Sequence, residues 1–185
     1  MVPSGLIAPI YTWIRSAHGG NRDGDRMADL DDIYNLRILE LASAIPRSGR
    51  LPAPAFHGEA LSKLCGSTVS VDLTLDDDRA VVTDFAQTVK ACLLGQATAS
   101  IVGREIVGTP VAEIREVADV MRRMLKENGP APTGRWSDLG LLEPVRDYRH
   151  RHASTLLIFD AIERALAAAG VASTAGGHSP LRSAG

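Results

Sequence analysis

The chain has 185 residues, 45% hydrophobic, 23% charged and 4% aromatic, which suits one ordinary domain with tails and a sizeable core. Lys and Arg number 20 against 22 Asp and Glu, so a formal charge of −2 leaves no global basic field to draw in nucleic acid or a membrane surface. The apolar stretches fall well short of the roughly 20 residues of a spanning helix, and two cysteines do not make the disulfide framework of a small secreted domain, so a reduced, cytoplasmic setting is expected.

Residues 1–27 read as an N-terminal extension, expected to be disordered. The apolar patch from Leu6 to Ile14 has no Lys or Arg before it, which argues against a signal peptide, and Met27 stands directly before the first well-patterned helix. Over 31–45, Tyr34, Ile38, Leu41 and Ile45 recur at helical spacing; Pro46 stops the pattern, and 47–54 reads as a loop. A strand is expected around 57–63. Val69 to Leu75 alternates strictly between apolar and polar, the cleanest strand signal in the chain. Asp76-Asp77-Asp78 reads as a polar turn into a further strand over about 80–90, where Val81, Phe85 and Val89 share one parity. The pair forms an antiparallel hairpin with one face buried.

Small residues (Gly95, Ala97, Ala99, Ser100, Gly103) mark a close-packing helix over 93–106, ended by Gly108. Thr109 is expected to cap the next helix, with Pro110 at its first position, and that helix runs to Lys126. A Pro/Gly-rich insert spans 128–140. A last helix over 147–169 carries Thr155, Phe159, Ile162 and Leu166 on one stripe, and the Ala/Gly/Ser-rich stretch 170–185 reads as a disordered tail. One folded domain over 28–169 follows. Helix, then strands, then helices makes it α+β.

The two cysteines carry the chemistry. Cys65 lies in a turn just before the best strand, where Gly66 lets the backbone bend. Cys92 lies after a strand and at a helix start, a setting that favours thiolate, the form that takes zinc, iron or transferred sulfur. One thiol at each strand end would bring both to the same edge of a small sheet. Two buried cysteines that never meet are the equally weighted plain reading, since a separation of 27 makes no CxxC knuckle. In Arg149-His150-Arg151-His152 either imidazole could complete a metal site, though such a patch is more commonly a solvated helix end; His57, placed in the loop before the first strand, is equally ambiguous. The sequence holds no Walker or Rossmann glycine loop, no G-x-S-x-G and no EF-hand pattern.

The core resembles the U-type iron–sulfur cluster assembly scaffolds, the IscU, SufU and NifU N-terminal family. Ile33-Tyr34 resembles the family's opening helix, and Leu64-Cys65-Gly66-Ser67 its first motif, Cys-Gly-Asp. Cys92, followed by Leu93-Leu94-Gly95-Gln96-Ala97, resembles the second. Arg151-His152-Ala153-Ser154 resembles the third, Arg/Lys-x-x-Cys, and the 128–145 insert, with Val145 and Tyr148, looks closer to the SufU-like branch. The resemblance implies a small three-stranded antiparallel sheet with helices packed on one face. It implies a site at one end, with Cys65 and Cys92 as ligands to a transient [2Fe–2S] cluster or zinc. Ser67 stands where the family has aspartate and Ser154 where it has its third cysteine; His150, His152 or His57 would have to help fill the set.

The resemblance implies a scaffold or carrier, not an enzyme, that accepts sulfur and iron, with a cysteine desulfurase and recipient apoproteins as partners. A homodimer stays open, and neither nucleic acid nor membrane is expected. Two alternatives stand beside it: a zinc-binding or persulfide-accepting partner of the desulfurase without a stable cluster, and an interaction module that kept the fold and lost the site.

Overall fold

The computed structural model describes residues 36–52, 55–63 and 66–172. Helix α1 (Leu36–Ser43) is followed by strands β1 (Phe56–Ser62), β2 (Ser67–Leu75) and β3 (Val82–Lys90), then α2 (Leu93–Glu105), α3 (Val111–Lys126), a run of 3-10 turns over Gly134–Asp147, and α4 (Arg149–Ala168). The extension 1–27, Tyr34 and nearly all of the tail expected from 170 lie outside the described residues. Gly170 and Val171 close α4: Gly170 takes φ +75°, its N–H bonds to Ala167 O, and Val171 N–H bonds to Leu166 O. That pairing satisfies the last carbonyls of the helix, and glycine enters the left-handed region without steric cost.

The sheet is antiparallel in the order β1-β2-β3. Period-2 alternation makes one face of β2 apolar: Val69, Val71 and Leu73 are buried, and Leu73 pairs with Phe85. The helices cover that face. Helix α4 crosses β1 at Gly58, while α2 lies over β3, where Gln87 Nε2 donates to Ala99 O and Pro46 O, both at 3.0 Å. The expected close packing of α2 is real: a Cβ on Gly95 would sit 2.8 Å from Ser154 O of α4.

Three local expectations need correction. Thr109 does not cap α3; its hydroxyl donates to Glu105 O at 2.7 Å and closes α2. Pro110 is the extended N-cap residue (φ −60°, ψ 139°) and not the first helical one, because Val111 N–H bonds to Ala80 O and Val82 N–H to Thr109 O, pinning 109–111 against the start of β3. Residues 47–50 are more than a loop: Ser48 makes an isolated parallel bridge to Gln87. Beyond Gly134 the insert is ordered 3-10 turns that bury Trp136, Leu139, Leu142 and Val145. Among the described residues no helix is long and apolar enough to cross a membrane.

Candidate functional site

The strand register gathers chain ends at one end of the sheet. Ser62, the last residue of β1, pairs with Ser67, the first of β2, and Thr68 pairs with Lys90, the last of β3. Cys92 follows two residues later as the extended N-cap of α2 (φ −65°, ψ 167°) and is half-buried. Its thiol makes no capping bond to that helix. It donates instead to Ser154 Oγ at 3.3 Å, and the Ser154 hydroxyl donates to Arg151 O at 2.9 Å. Two residues 62 apart in sequence are therefore in contact. Gly95 permits it, since any larger residue would push α4 away.

Ser67 is buried at the start of β2 and engaged in the fold. Cys65 lies outside the described residues. The histidines go three ways. His150 is exposed, one helical turn before Ser154 and so on its face, with its ring edge-on to Tyr148 at 6.3 Å. His152 is no solvated helix end: only 7% exposed, its Nε2–H donates to Val145 O and Arg146 O, both at 3.1 Å. Two positions from Ser154 on a helix, it faces the other way. It lines a separate cleft of about 620 Å³ with Leu125, Lys126, Asn128, Arg146 and Arg149.

His57 is also relocated. It lies in β1, not in a loop, and its Nδ1–H donates to Asp72 Oδ1 at 2.8 Å on the sheet face opposite the helices. Asp72 further accepts from Arg50 Nε and from Leu51 N–H, the latter at 3.2 Å. No spacing signal announces this cluster, because Asp72 occupies an ordinary polar position of an alternating strand. Burial alone would raise its carboxyl pKa, but the bonds from Arg50, His57 and the Leu51 amide outweigh that and hold it below the ordinary 3.8. A depressed carboxylate contributes stability above its unfolded pKa and loses it as pH falls through the folded one. Asp72→Asn is expected to cost about 1–3 kcal/mol at neutral pH. Urea midpoints taken from neutral pH to below 3.8 should fall less steeply in the variant than in the wild type.

Among the described residues no group of three or more His, Cys, Asp or Glu is placed to hold a metal ion. One thiol and one neutral hydroxyl suit sulfur chemistry better than a closed metal cage, since serine is a poor ligand for a soft ion.

A three-stranded antiparallel sheet under helices, with a thiol–hydroxyl pair at one sheet end, defines a small α+β domain with a half-buried thiol at its rim. Known proteins share this fold. The solved N-terminal region of a nitrogen-fixing NifU-like protein from Brucella abortus is 52% identical, with a TM-score of 0.74 over 78% of this chain and 99% of that one. The iron–sulfur cluster assembly scaffold protein IscU of Thermotoga maritima is 24% identical over 134 residues, 72% of this chain and 92% of the relative. A SufU from Fervidobacterium islandicum, 19% identical, shares the fold with a TM-score of 0.65 over 72% of this chain and 96% of that one. No protein-family model matches the chain. The chain belongs to the U-type family, that of the NifU-like N-terminal, IscU and SufU proteins.

Proposed function

We propose that this protein serves iron–sulfur cluster assembly as a scaffold or carrier. It receives sulfur from a cysteine desulfurase, takes up iron, and yields the resulting cluster, its cargo, to recipient apoproteins. Kinship with the IscU scaffold protein of Thermotoga maritima supports the role. The observation that carries it onto this chain is the half-buried Cys92 thiol at the sheet end, held against Ser154. Cys65 is assigned as the second thiol, and Ser67 and Ser154 occupy the remaining ligand positions without supplying a soft donor. His150 is the imidazole best placed to join them; His152 and His57 are committed elsewhere.

The Cys92–Ser154 contact favours a first step of sulfur acceptance. The Cys92 thiolate attacks the outer sulfur of the enzyme-bound persulfide. The enzyme's sulfur–sulfur bond breaks, its thiolate leaves with the bonding pair and takes up the proton released by Cys92, and Cys92 becomes the persulfide. No net electrons are exchanged. Bond cleavage in free cysteine belongs to the desulfurase, so this protein carries and does not catalyse.

Anaerobic purification followed by iron, zinc and acid-labile sulfide determination tests the reading, before and after reconstitution with iron, cysteine and a desulfurase. Iron and sulfide near one cluster per one or two chains support the scaffold. Persulfide on Cys92 by mass spectrometry with no iron retained, or zinc alone, shifts the role to a sulfur acceptor. Neither metal nor persulfide under any condition overturns it.

Ser154 is the sharpest single handle. Ser154→Cys places a third thiol beside Cys92, and under reducing conditions zinc affinity should rise. The rise should exceed the roughly 10-fold to 100-fold that even an outer-shell partner is worth. Competition with a chromophoric chelator reads it directly.

A further inference from the structure

We propose that the cleft between the end of α3 and the start of α4 binds a small phosphate monoester, a hydroxylated compound carrying one phosphate group. The inference goes beyond the assembly role and does not rest on it. The cleft has a volume of about 620 Å³. That lies within the roughly 300–1,000 Å³ of small-molecule sites and is far more than a bare ion needs. Three elements wall it: Leu125 and Lys126 end α3, Arg146 and Asp147 end the 3-10 run, and Arg149 and His152 belong to the first turn of α4.

The charge in the cleft is not used by the fold. Lys126 and Arg149 are exposed, and neither makes an ion pair or side-chain hydrogen bond with a described residue. Elsewhere Arg37, Arg104, Arg115 and Arg122 are each held by a carboxylate. Lys126 has an internal reason for its place, since the C-terminal end of a helix favours a cation. Arg149 has none, because it stands at the positive end of α4, where its own charge is disfavoured. That helix also lacks a side-chain cap. Its first amides have no intrahelical partner, so they add donors beside the two free cations.

A second feature points to the same occupant. His152 is only 7% exposed, yet it lines the cleft. Both of its bonds run through Nε2, to Val145 O and Arg146 O, which leaves Nδ1 without a partner among the described residues. In the neutral ring Nδ1 is the lone-pair nitrogen and accepts from a hydroxyl. Asp147, the one carboxylate on the lining, accepts a hydroxyl in the same way, while Arg146 is already held by Glu143. Leu125 is the one apolar side chain there, and no aromatic ring offers a face to a nucleobase. Cations for the phosphate and acceptors for hydroxyls are the donor and acceptor set of a phosphorylated polyol or sugar.

The test is isothermal titration of the full chain, at constant ionic strength, with glycerol 3-phosphate, ribose 5-phosphate and glucose 6-phosphate, and with inorganic phosphate and sulfate. At least one ester should bind with a Kd of about 1 mM or below, and more tightly than either inorganic anion. Lys126→Gln/Arg149→Gln removes two exposed cations without disturbing the core and should weaken that binding about tenfold or more. Lys63→Gln/Lys90→Gln, with the same charge removed outside the cleft, should bind as wild type. The His152 ring resonances should move on titration with the ester. No binding of any ester up to about 10 mM overturns the proposal. So does binding that the cleft variant leaves unchanged, or inorganic phosphate or sulfate matching the esters, which marks a generic anion contact.

Discussion

Cys92→Ala drops iron and sulfide after reconstitution to background, at least about tenfold below wild type, while the fold stays intact. The thiol is half-buried at the rim of the sheet, and its one polar partner, Ser154, keeps a second bond to Arg151 O at 2.9 Å. Removing Sγ therefore strands no buried donor, and the stability cost is small, about 1 kcal/mol or less. The chemical cost is large because no described residue can replace the lost ligand. The described part of the chain holds no alternative cluster of His, Cys, Asp or Glu. Hydroxyl does not substitute for thiolate toward iron or sulfane sulfur, so Cys92→Ser should fail like Cys92→Ala. Iron and sulfide assays, urea midpoints and persulfide mapping separate the two effects. Normal loading by Cys92→Ala would remove Cys92 from the site and leave Cys65 and the histidines to explain it. Cys65→Ala, measured alongside, tests the second assigned thiol.

How far the chain could be read in advance follows from where each constraint arises. β2 was legible because one buried face imposes period 2 on Val69, Val71 and Leu73. The α4 stripe, with Thr155, Phe159, Ile162 and Leu166 all buried, was legible for the same reason at helical period. The 3-10 run was not. Its glycines and Pro144 resemble an insert, and the burial of Trp136 and Leu139 arises from α2 and α3 packing over it rather than from any local period.

Two polar residues on strands were hidden in the same way. Asp72 reads as a solvent-facing position and is buried only because Arg50 and Leu51 fold across it. Gln87 reads as a break in the alternation of β3, yet it sits on the core face and bridges two backbone carbonyls. The site divides along the same line. Cys92 at a helix start is a local feature. Its contact with Ser154 is long-range, and resemblance alone singled out that serine. His152 reads as a solvated helix end because its partners, the carbonyls of Val145 and Arg146, come from the 3-10 run, which has no local pattern.

Gly58→Ala should be the most damaging single methyl in the protein, costing about 3 kcal/mol or more. Gly58 lies on the core face of β1, where α4 crosses the strand backbone to backbone. A Cβ there falls inside van der Waals contact of Ala161 O and Ala165 N and reaches 3.0 Å from Ala165 Cα. Those are main-chain atoms of a helix and cannot swing aside, so the helix itself must lift from the sheet. Lifting it exposes Ile158, Phe159, Ile162 and Leu166, all at 1% exposure or less. At about 25 cal/mol per Å² that loss far exceeds the 0.4–1 kcal/mol that alanine gains by restricting the unfolded chain. Glu59→Ala, one residue on and facing solvent, should stay within about 0.5 kcal/mol of wild type. The consequence reaches the site, because Ser154 rides on the same helix. Where Gly58→Ala still folds, α4 is displaced and the 3.3 Å Cys92–Ser154 contact opens. Cys92 should then alkylate faster with iodoacetamide than in wild type or Glu59→Ala. A wild-type urea midpoint and alkylation rate for Gly58→Ala would mean that α4 does not bear on β1 as closely as described.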